Sequence, residues 1–194
     1  MPANQVPCAD EFDTFCTQNN HLDKTDQHRQ FSRRLFSREQ FSAAVFYADK
    51  VISLIDPGEV QVITDDYRHA EACAYAAGNI PHSLSLVKKL IHLSPDNHKF
   101  LTRAGMYYML QGDNKVAEEY YLKARDIKPD DSNVCDALAH LYGLLEHSDK
   151  MKSYGNKALK LKDAEAITEE NLNKVYRIIG AKYRGFHSQV QQLV

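Results

Sequence analysis

A period of 34 residues runs through the middle of the chain, where successive copies begin at Thr64, His98 and Ser132 and align without a gap. Small or apolar residues recur in the same columns, with Ala70, Ala104 and Leu138 in one and Leu90, Ala124 and Ala158 in another. A fixed period of this length is typical of stacked supersecondary units, none of which can bury its apolar face alone. The pattern therefore predicts a repeat protein that holds another molecule rather than catalysing a reaction.

The copy at His98–Asp131 carries the residues that indicate a family. Small residues stand where two antiparallel helices would cross, and tyrosines would fill the space between neighbouring pairs. A Gly-Asp dipeptide would form the turn, and a proline follows the second helix. These residues are Gly105, Tyr108, Gly112, Asp113, Ala117, Tyr121, Ala124 and Pro129. In type and spacing they resemble the tetratricopeptide repeat, and the resemblance extends over Thr64–Glu165. It implies an all-α, right-handed solenoid of paired antiparallel helices.

The resemblance predicts four repeats at residues 25–58, 64–97, 98–131 and 132–165, with Glu59–Ile63 as extra residues between the first two. After them, Thr168 as N-cap and an apolar stripe predict a capping helix at residues 166–185, because a solenoid needs a polar outer face at its end. Residues 186–194 are expected to be a tail. Residues 1–24, rich in Asn, Gln and Asp, are expected to be a flexible N-terminal segment, either disordered or one loose helix.

Composition narrows the function classes. The chain has 194 residues, a net charge of −2 and a pI near 6.5, which gives no argument for binding nucleic acid or membranes. No stretch is apolar for long enough to span a bilayer, and the N-terminus lacks the pattern of a secretory signal. The four cysteines form no C-x-x-C pair, so a reducing, cytoplasmic location is expected.

No catalytic motif is found. The chain has no Gly-rich phosphate loop, no G-x-S-x-G and no H-E-x-x-H sequence. The nine histidines lack the Cys or carboxylate partners that would complete a metal site at the usual spacing. Adjacent carboxylates such as Glu118 and Glu119 are read as solvated faces or helix-dipole partners rather than acid–base pairs. We therefore expect no enzyme activity, no cofactor and no metal.

The candidate site comes from the resemblance, in which the first helix of each pair lines a concave groove. The inward-facing offsets of that family select seven residues that are cationic or can become so. They are Arg29, Arg33, Arg68, His69, Lys99, Arg103 and His140. Such a stripe inside a nearly neutral protein suits an acidic partner. The alternative is that these side chains are solvated and pair with carboxylates on neighbouring helices.

Apolar residues fall beside the same offsets, namely Tyr75, Met106 and Met109. Exposed together, they would mark a binding patch, whereas the alternative is that they pack against a neighbouring repeat. If His69 takes part and becomes charged, binding of an acidic partner should strengthen below about pH 6.5.

Three narrower resemblances accompany the family. Lys99 and Arg103 match the third-repeat pair with which chaperone-docking tetratricopeptide domains hold C-terminal carboxylates, although the matching earlier positions hold Arg29, Arg33 and His69 instead of Lys and Asn. Residues 38–54 resemble the opening helix pair of the tetratricopeptide subunits of the anaphase-promoting complex, which are homodimeric scaffolds. Residues 154–163 resemble the last repeat ahead of the catalytic domain in some bacterial glycosyltransferase-like proteins.

These observations predict a protein–protein interaction module that binds an extended or helical, acidic partner segment in a basic concave groove. Two alternatives stay open: a self-associating scaffold that forms a homodimer, and the N-terminal repeat domain of a larger glycosyltransferase-like enzyme.

Overall fold

The computed structural model describes residues 6–55 and 60–162. Within these residues the chain forms nine α-helices and no β-strand, which confirms the predicted all-α class. The helices are α1 (Ala9–Gln18), α2 (Lys24–Ser37), α3 (Phe41–Leu54), α4 (Val60–Ala76), α5 (Ile80–Leu93), α6 (His98–Leu110), α7 (Asn114–Ile127), α8 (Ser132–Leu144) and α9 (Ser148–Lys162). They fall into two compact units, within Met1–Pro95 and Asp96–Val194. The predicted capping helix and tail lie outside the described residues.

Unit 1 contains α1 and the antiparallel pairs α2–α3 and α4–α5. Its core is formed by side chains with little or no exposure to solvent, including Phe31, Leu35, Ala44, Tyr47, Ala70 and Leu86. Asp23 caps α2 by accepting a 2.8 Å hydrogen bond from the backbone N–H of Asp26.

Helix α1 occupies the segment for which flexibility was expected. Phe12 and Phe15 are three residues apart, so they lie on one face of the helix. The Phe12 ring lies 4.7 Å from the Tyr47 ring and 5.1 Å from the Phe31 ring, and Phe15 is buried. The hydroxyl of Tyr47 also donates a 2.8 Å hydrogen bond to the carbonyl of Pro7. The Asn, Gln and Asp residues that suggested disorder are compatible with a helix because its other face is solvated.

Helix α4 is longer than its counterparts because it begins at Val60, inside the segment expected to be extra residues before the second repeat. Ile63 in this added turn is buried, and Tyr67 follows it four residues later on the same face. The extra residues therefore extend a helix instead of forming a separate connection.

Unit 2 contains the pairs α6–α7 and α8–α9. Asn97 and Asp131, 34 residues apart, cap α6 and α8 by accepting backbone hydrogen bonds at equivalent positions. Gly105 on α6 packs against the buried ring of Tyr121 on α7, as the sequence predicts for a small residue at a helix crossing. The Tyr142 ring stacks on the Tyr154 ring at a centroid distance of 5.7 Å.

A residue in the left-handed backbone region lies in the turn inside each helix pair. These residues are Glu39 (φ 61°), Gly78 (φ 76°), Gly112 (φ 86°) and Glu146 (φ 59°). Glycine adopts this conformation readily because it has no β-carbon, whereas glutamate does not. The four turns thus share one geometry but differ in strain.

Candidate partner-binding surface

In unit 1, side chains bridge the first helices of the two pairs, α2 and α4. Arg29 reaches across to Asp66, and Ser32 contacts His69. The Phe36 ring also lies 5.8 Å from the His69 ring. These bridges decide which of the predicted site residues remain exposed.

Arg29 is committed to the bridge. Its Nε and one terminal nitrogen each donate a 2.8 Å hydrogen bond to a different carboxylate oxygen of Asp66, and it also pairs with Asp26. The Asp66 side chain is 3% exposed and that of Arg29 is 18% exposed. The hydrogen bond to Asp66 raises the pKa of Arg29, so the guanidinium stays charged. The paired nitrogens that would grip a partner carboxylate are therefore already occupied.

His69 also has partners within the unit. The single hydroxyl proton of Ser32 is donated to the carbonyl of Ala44 at 2.8 Å. Ser32 must then accept from His69, whose Nε2 lies 3.0 Å away, so the neutral ring carries its proton on Nε2. The Sγ atom of Cys73 lies 3.5 Å from the same nitrogen. His69 is thus a neutral hydrogen-bond donor inside the bridge.

Burial lowers the pKa of His69 below its ordinary value of 6.5, and the charge of Arg33 lowers it further, while Asp66 acts in the opposite direction. The ring therefore gains its charge at a lower pH than was expected for a partner-binding histidine. The proposed strengthening of binding near about pH 6.5 must shift to more acidic conditions.

A stability prediction follows from this lowered pKa. Because protonation of His69 is disfavoured in the folded state, its contribution is complete above pH 6.5 and is lost as pH falls from there towards the lower folded-state pKa. We expect His69→Gln, whose amide can still donate to Ser32, to remove this part of the pH dependence. Urea unfolding of both proteins between about pH 5 and pH 8 measures the difference. If the free energy of unfolding depends on pH in the same way for both proteins, the prediction is wrong.

What we call the basic face consists of three residues of the predicted set that are exposed on the bridged helices, namely Arg33 on α2 and Arg68 and Tyr75 on α4. Arg33 is exposed and makes no hydrogen bond or ion pair with any described residue. The Arg68 side chain is 61% exposed, and its contact with Asp65, at 3.2 Å, is a surface ion pair. Tyr75 is 40% exposed and lies seven residues after Arg68, on the same side of α4. This face presents cationic groups to solvent.

The first helices of unit 2 carry the other five predicted residues. Lys99 is exposed and forms no ion pair within the described part of the chain, while Arg103 and Met106 are half-buried. Met109 is 9% exposed and belongs to the core, which agrees with the alternative that it packs inside the protein and not with an exposed binding patch. His140 is half-buried with Nε2 4.0 Å from Asp136, which also pairs with Lys162 at 3.3 Å.

The predicted residues therefore divide evenly between the two units, and their convergence on one groove stays a prediction. Sequence reasoning missed Ser32 and Asp66, which hold His69 and Arg29. Both contacts join residues 37 apart, whereas the predicted repeats that begin at residues 25 and 64 are offset by 39, so aligning the repeats does not place the partners in one column.

Other kinds of site find little support in the described residues. Within residues 6–55 and 60–162, no group of three or more His, Cys, Asp or Glu side chains is arranged to hold a metal ion. Burial raises the pKa of the Cys73 thiol to about 11, so the sulfur beside His69 is protonated rather than nucleophilic. No helix in these ranges is both long and apolar enough to cross a bilayer.

Comparisons with known proteins agree with the repeat geometry. Residues 98–131 match a model of the tetratricopeptide repeat. MamA 41-end from Desulfovibrio magneticus RS-1 has a TM-score of 0.63 at 18% identity, over 89% of this chain and 96% of that one. TTC0263, a thermophilic TPR protein in Thermus thermophilus, has a TM-score of 0.54 at 19% identity, over 87% of this chain and 86% of that one.

At these identities the likeness concerns the fold, and no curated protein matches the chain. The matching repeat contains the Gly105–Tyr121 crossing, and its helix-pair arrangement recurs in the other three pairs. Residues 98–131 are therefore a tetratricopeptide repeat, and the chain has the fold of tetratricopeptide repeat proteins.

Proposed function

We propose that the chain is a protein–protein interaction module that holds an acidic, extended or helical partner segment against the first helices of its pairs. The observation that carries the proposal is the basic face of unit 1, where Arg33 and Arg68 present guanidinium groups to solvent. Helical repeats of this kind expose a row of first helices along which a partner segment can lie.

The charges suit such a partner because they are local. The chain as a whole has slightly more acidic than basic residues, with 26 Asp and Glu against 24 Lys and Arg. A basic patch in such a chain steers an acidic segment to one surface instead of attracting anions everywhere. Each arginine can form two parallel hydrogen bonds with a carboxylate, and Tyr75 offers apolar contact beside them.

The partner-binding set differs from the sequence prediction in its members. Arg29 and His69 support the proposal indirectly, since their bridge fixes the spacing of α2 and α4 and thereby positions Arg33 and Arg68. In unit 2, Lys99 and Arg103 are the candidates for contact, whereas Asp136 introduces a negative charge beside His140. Within unit 1 the acidic partner is therefore proposed for α2 and α4, and within unit 2 for α6 more strongly than for α8.

We expect the double variant Arg33→Glu/Arg68→Glu to bind a fluorescein-labelled peptide rich in Glu and Asp at least about tenfold more weakly than wild type. Fluorescence anisotropy measures the affinity, which should also fall with added salt because exposed charges are screened over about 10 Å at 0.1 M. The matched control is Lys123→Glu/Lys160→Glu, which makes the same charge change at exposed positions on α7 and α9.

Equal affinity for the two double variants would overturn the proposal. Circular dichroism spectra that match wild type establish that each variant is folded. Mass measurement in solution at several concentrations tests the alternative of a homodimeric scaffold, which predicts a mass that rises with concentration in the absence of peptide.

A further inference from the structure

A cavity of about 480 Å³ opens in unit 1 between the ends of α3 and α5 and the beginning of α4. We call it the outer pocket. Its lining includes none of the residues predicted to bind a partner, and neither Arg33 nor Arg68 borders it. The outer pocket is therefore separate from the basic face.

The wall of the outer pocket is apolar. It consists of Ile52, Ile55, Ile63, Tyr67 and Leu93. Ile63 is buried and the other four are half-buried, so apolar surface remains in contact with water. The added turn of α4 supplies Ile63, which means that the departure from the regular repeat length helps to create the cavity.

The rim of the outer pocket is basic. Lys88, Lys89 and His92 line it, and among the described residues no carboxylate side chain does. All three are exposed, and the Nζ atom of Lys89 lies 5.4 Å from the centroid of the Tyr67 ring. The ammonium group thus stays above the apolar wall while facing water.

The apolar wall and the basic rim together indicate the chemistry of the ligand. We infer that the outer pocket binds a partner protein segment in which a bulky apolar side chain is followed by carboxylates. The apolar side chain would displace water from the isoleucines and Tyr67, and the carboxylates would meet Lys89 and His92.

A protein segment fits the pocket better than an enclosed small molecule. The cavity volume lies within the range of about 300–1,000 Å³ that is usual for ligand sites, so size alone does not decide. Small-molecule sites, however, use fixed polar groups to orient the ligand, whereas the basic groups here end long or exposed side chains at the mouth. Such a rim suits a charged chain that runs past the opening. This surface goes beyond the proposed function and would be a second contact with a partner.

The test uses a short fluorescein-labelled peptide, Leu-Phe-Asp-Glu-Glu, with the full chain. Two control peptides carry either Ala-Ala in place of Leu-Phe or Lys in place of every acidic residue. In the Arg33→Glu/Arg68→Glu background, where the charges of the basic face are reversed, we expect measurable binding of the first peptide only, and a loss of at least about tenfold when Lys89→Glu is added. The matched control is Lys123→Glu, because Lys123 lies 34 residues later in the repeat and its Nζ atom is 5.6 Å from the Tyr120 ring.

A second variant, Ile55→Ser, removes apolar surface from the wall and should weaken binding with the charges intact. Both variants are made in the Arg33→Glu/Arg68→Glu background, so binding that persists there belongs to the outer pocket and not to the basic face. Absence of binding to wild type, or equal losses in Lys89→Glu and Lys123→Glu, would overturn the inference. A concentration-dependent dimer that Lys89→Glu abolishes would also overturn it, because the occupant would then be a second copy of the chain.

Discussion

Replacing Gly105 with leucine should lower the free energy of unfolding by about 2–4 kcal/mol. An ideal β-carbon at this position would lie 2.6 Å from Cε1 and 2.7 Å from Cδ1 of Tyr121. The Tyr121 ring is 1% exposed, so it has little room to withdraw. A leucine side chain would therefore push α6 and α7 apart or force both side chains into strained rotamers. Urea unfolding followed by far-ultraviolet circular dichroism measures the loss.

A second helical glycine provides a matched control. A β-carbon at Gly143 would lie 3.2 Å from the Sδ atom of Met151, a flexible side chain that can move. Alanine in a helix is favoured over glycine by about 1 kcal/mol, so Gly143→Ala should be neutral or stabilising. Gly105→Ala should be destabilising, although alanine has the same advantage in helix propensity at that position. Equal unfolding free energies for the two alanine variants would show that Tyr121 does not occupy the position described.

Replacing Arg29 with methionine should cost about 3 kcal/mol of folding free energy. The change leaves the Asp66 carboxylate, which is 3% exposed, without its charged partner. Arg68→Met is the control, because Arg68 forms an exposed pair with Asp65 and exposed pairs contribute less than about 1 kcal/mol. Urea unfolding of both variants at neutral pH gives the comparison.

A further variant distinguishes the loss of the ion pair from the loss of packing by the Arg29 side chain. In Arg29→Met/Asp66→Leu both charges are absent, and apolar replacement of a buried pair is often close to neutral. The double variant should therefore recover much of the stability that Arg29→Met loses. If Arg29→Met instead unfolds like Arg68→Met, Arg29 is not held in the bridge and returns to the set of candidate partner contacts.

The sequence was sufficient to predict the helix pairs because their register is periodic. Small residues such as Gly105 and Ala117 recur where helices cross, and Pro129 follows the end of a helix. Helix α1 was foreseen only as a loose helix or a disordered segment. Its packing was not predicted, because Phe12 and Phe15 belong to no repeat and their significance depends on contacts with Phe31 and Tyr47. The longer α4 was missed for a related reason, since periodicity shows that residues are inserted but not which element takes them up.

The candidate site was predictable only in part. Family offsets indicate which side chains point away from the core, and Arg33 and Arg68 are exposed as expected. Offsets do not indicate which side chains already have partners. The bridge of Arg29 to Asp66 agrees with the alternative that basic residues pair with carboxylates on neighbouring helices, whereas the contact of His69 with Ser32 was not foreseen. Met109 shows a further limit, because it lies three residues after Met106 on α6 but is buried in the core.

The left-handed turn residues have a consequence for the order of folding. Glu39 and Glu146 each hold a backbone conformation that costs about 1–2 kcal/mol for a residue with a β-carbon, whereas Gly78 and Gly112 do not. In a linear array of repeats, stability is approximately the sum of each unit's own stability and its coupling to its neighbours, so folding can nucleate wherever the local cost is smallest. The strained turns close the pairs α2–α3 and α8–α9. Nucleation is therefore biased towards α4–α5 in unit 1 and α6–α7 in unit 2, and the other pair of each unit gains its structure by growth on a neighbour that is already ordered.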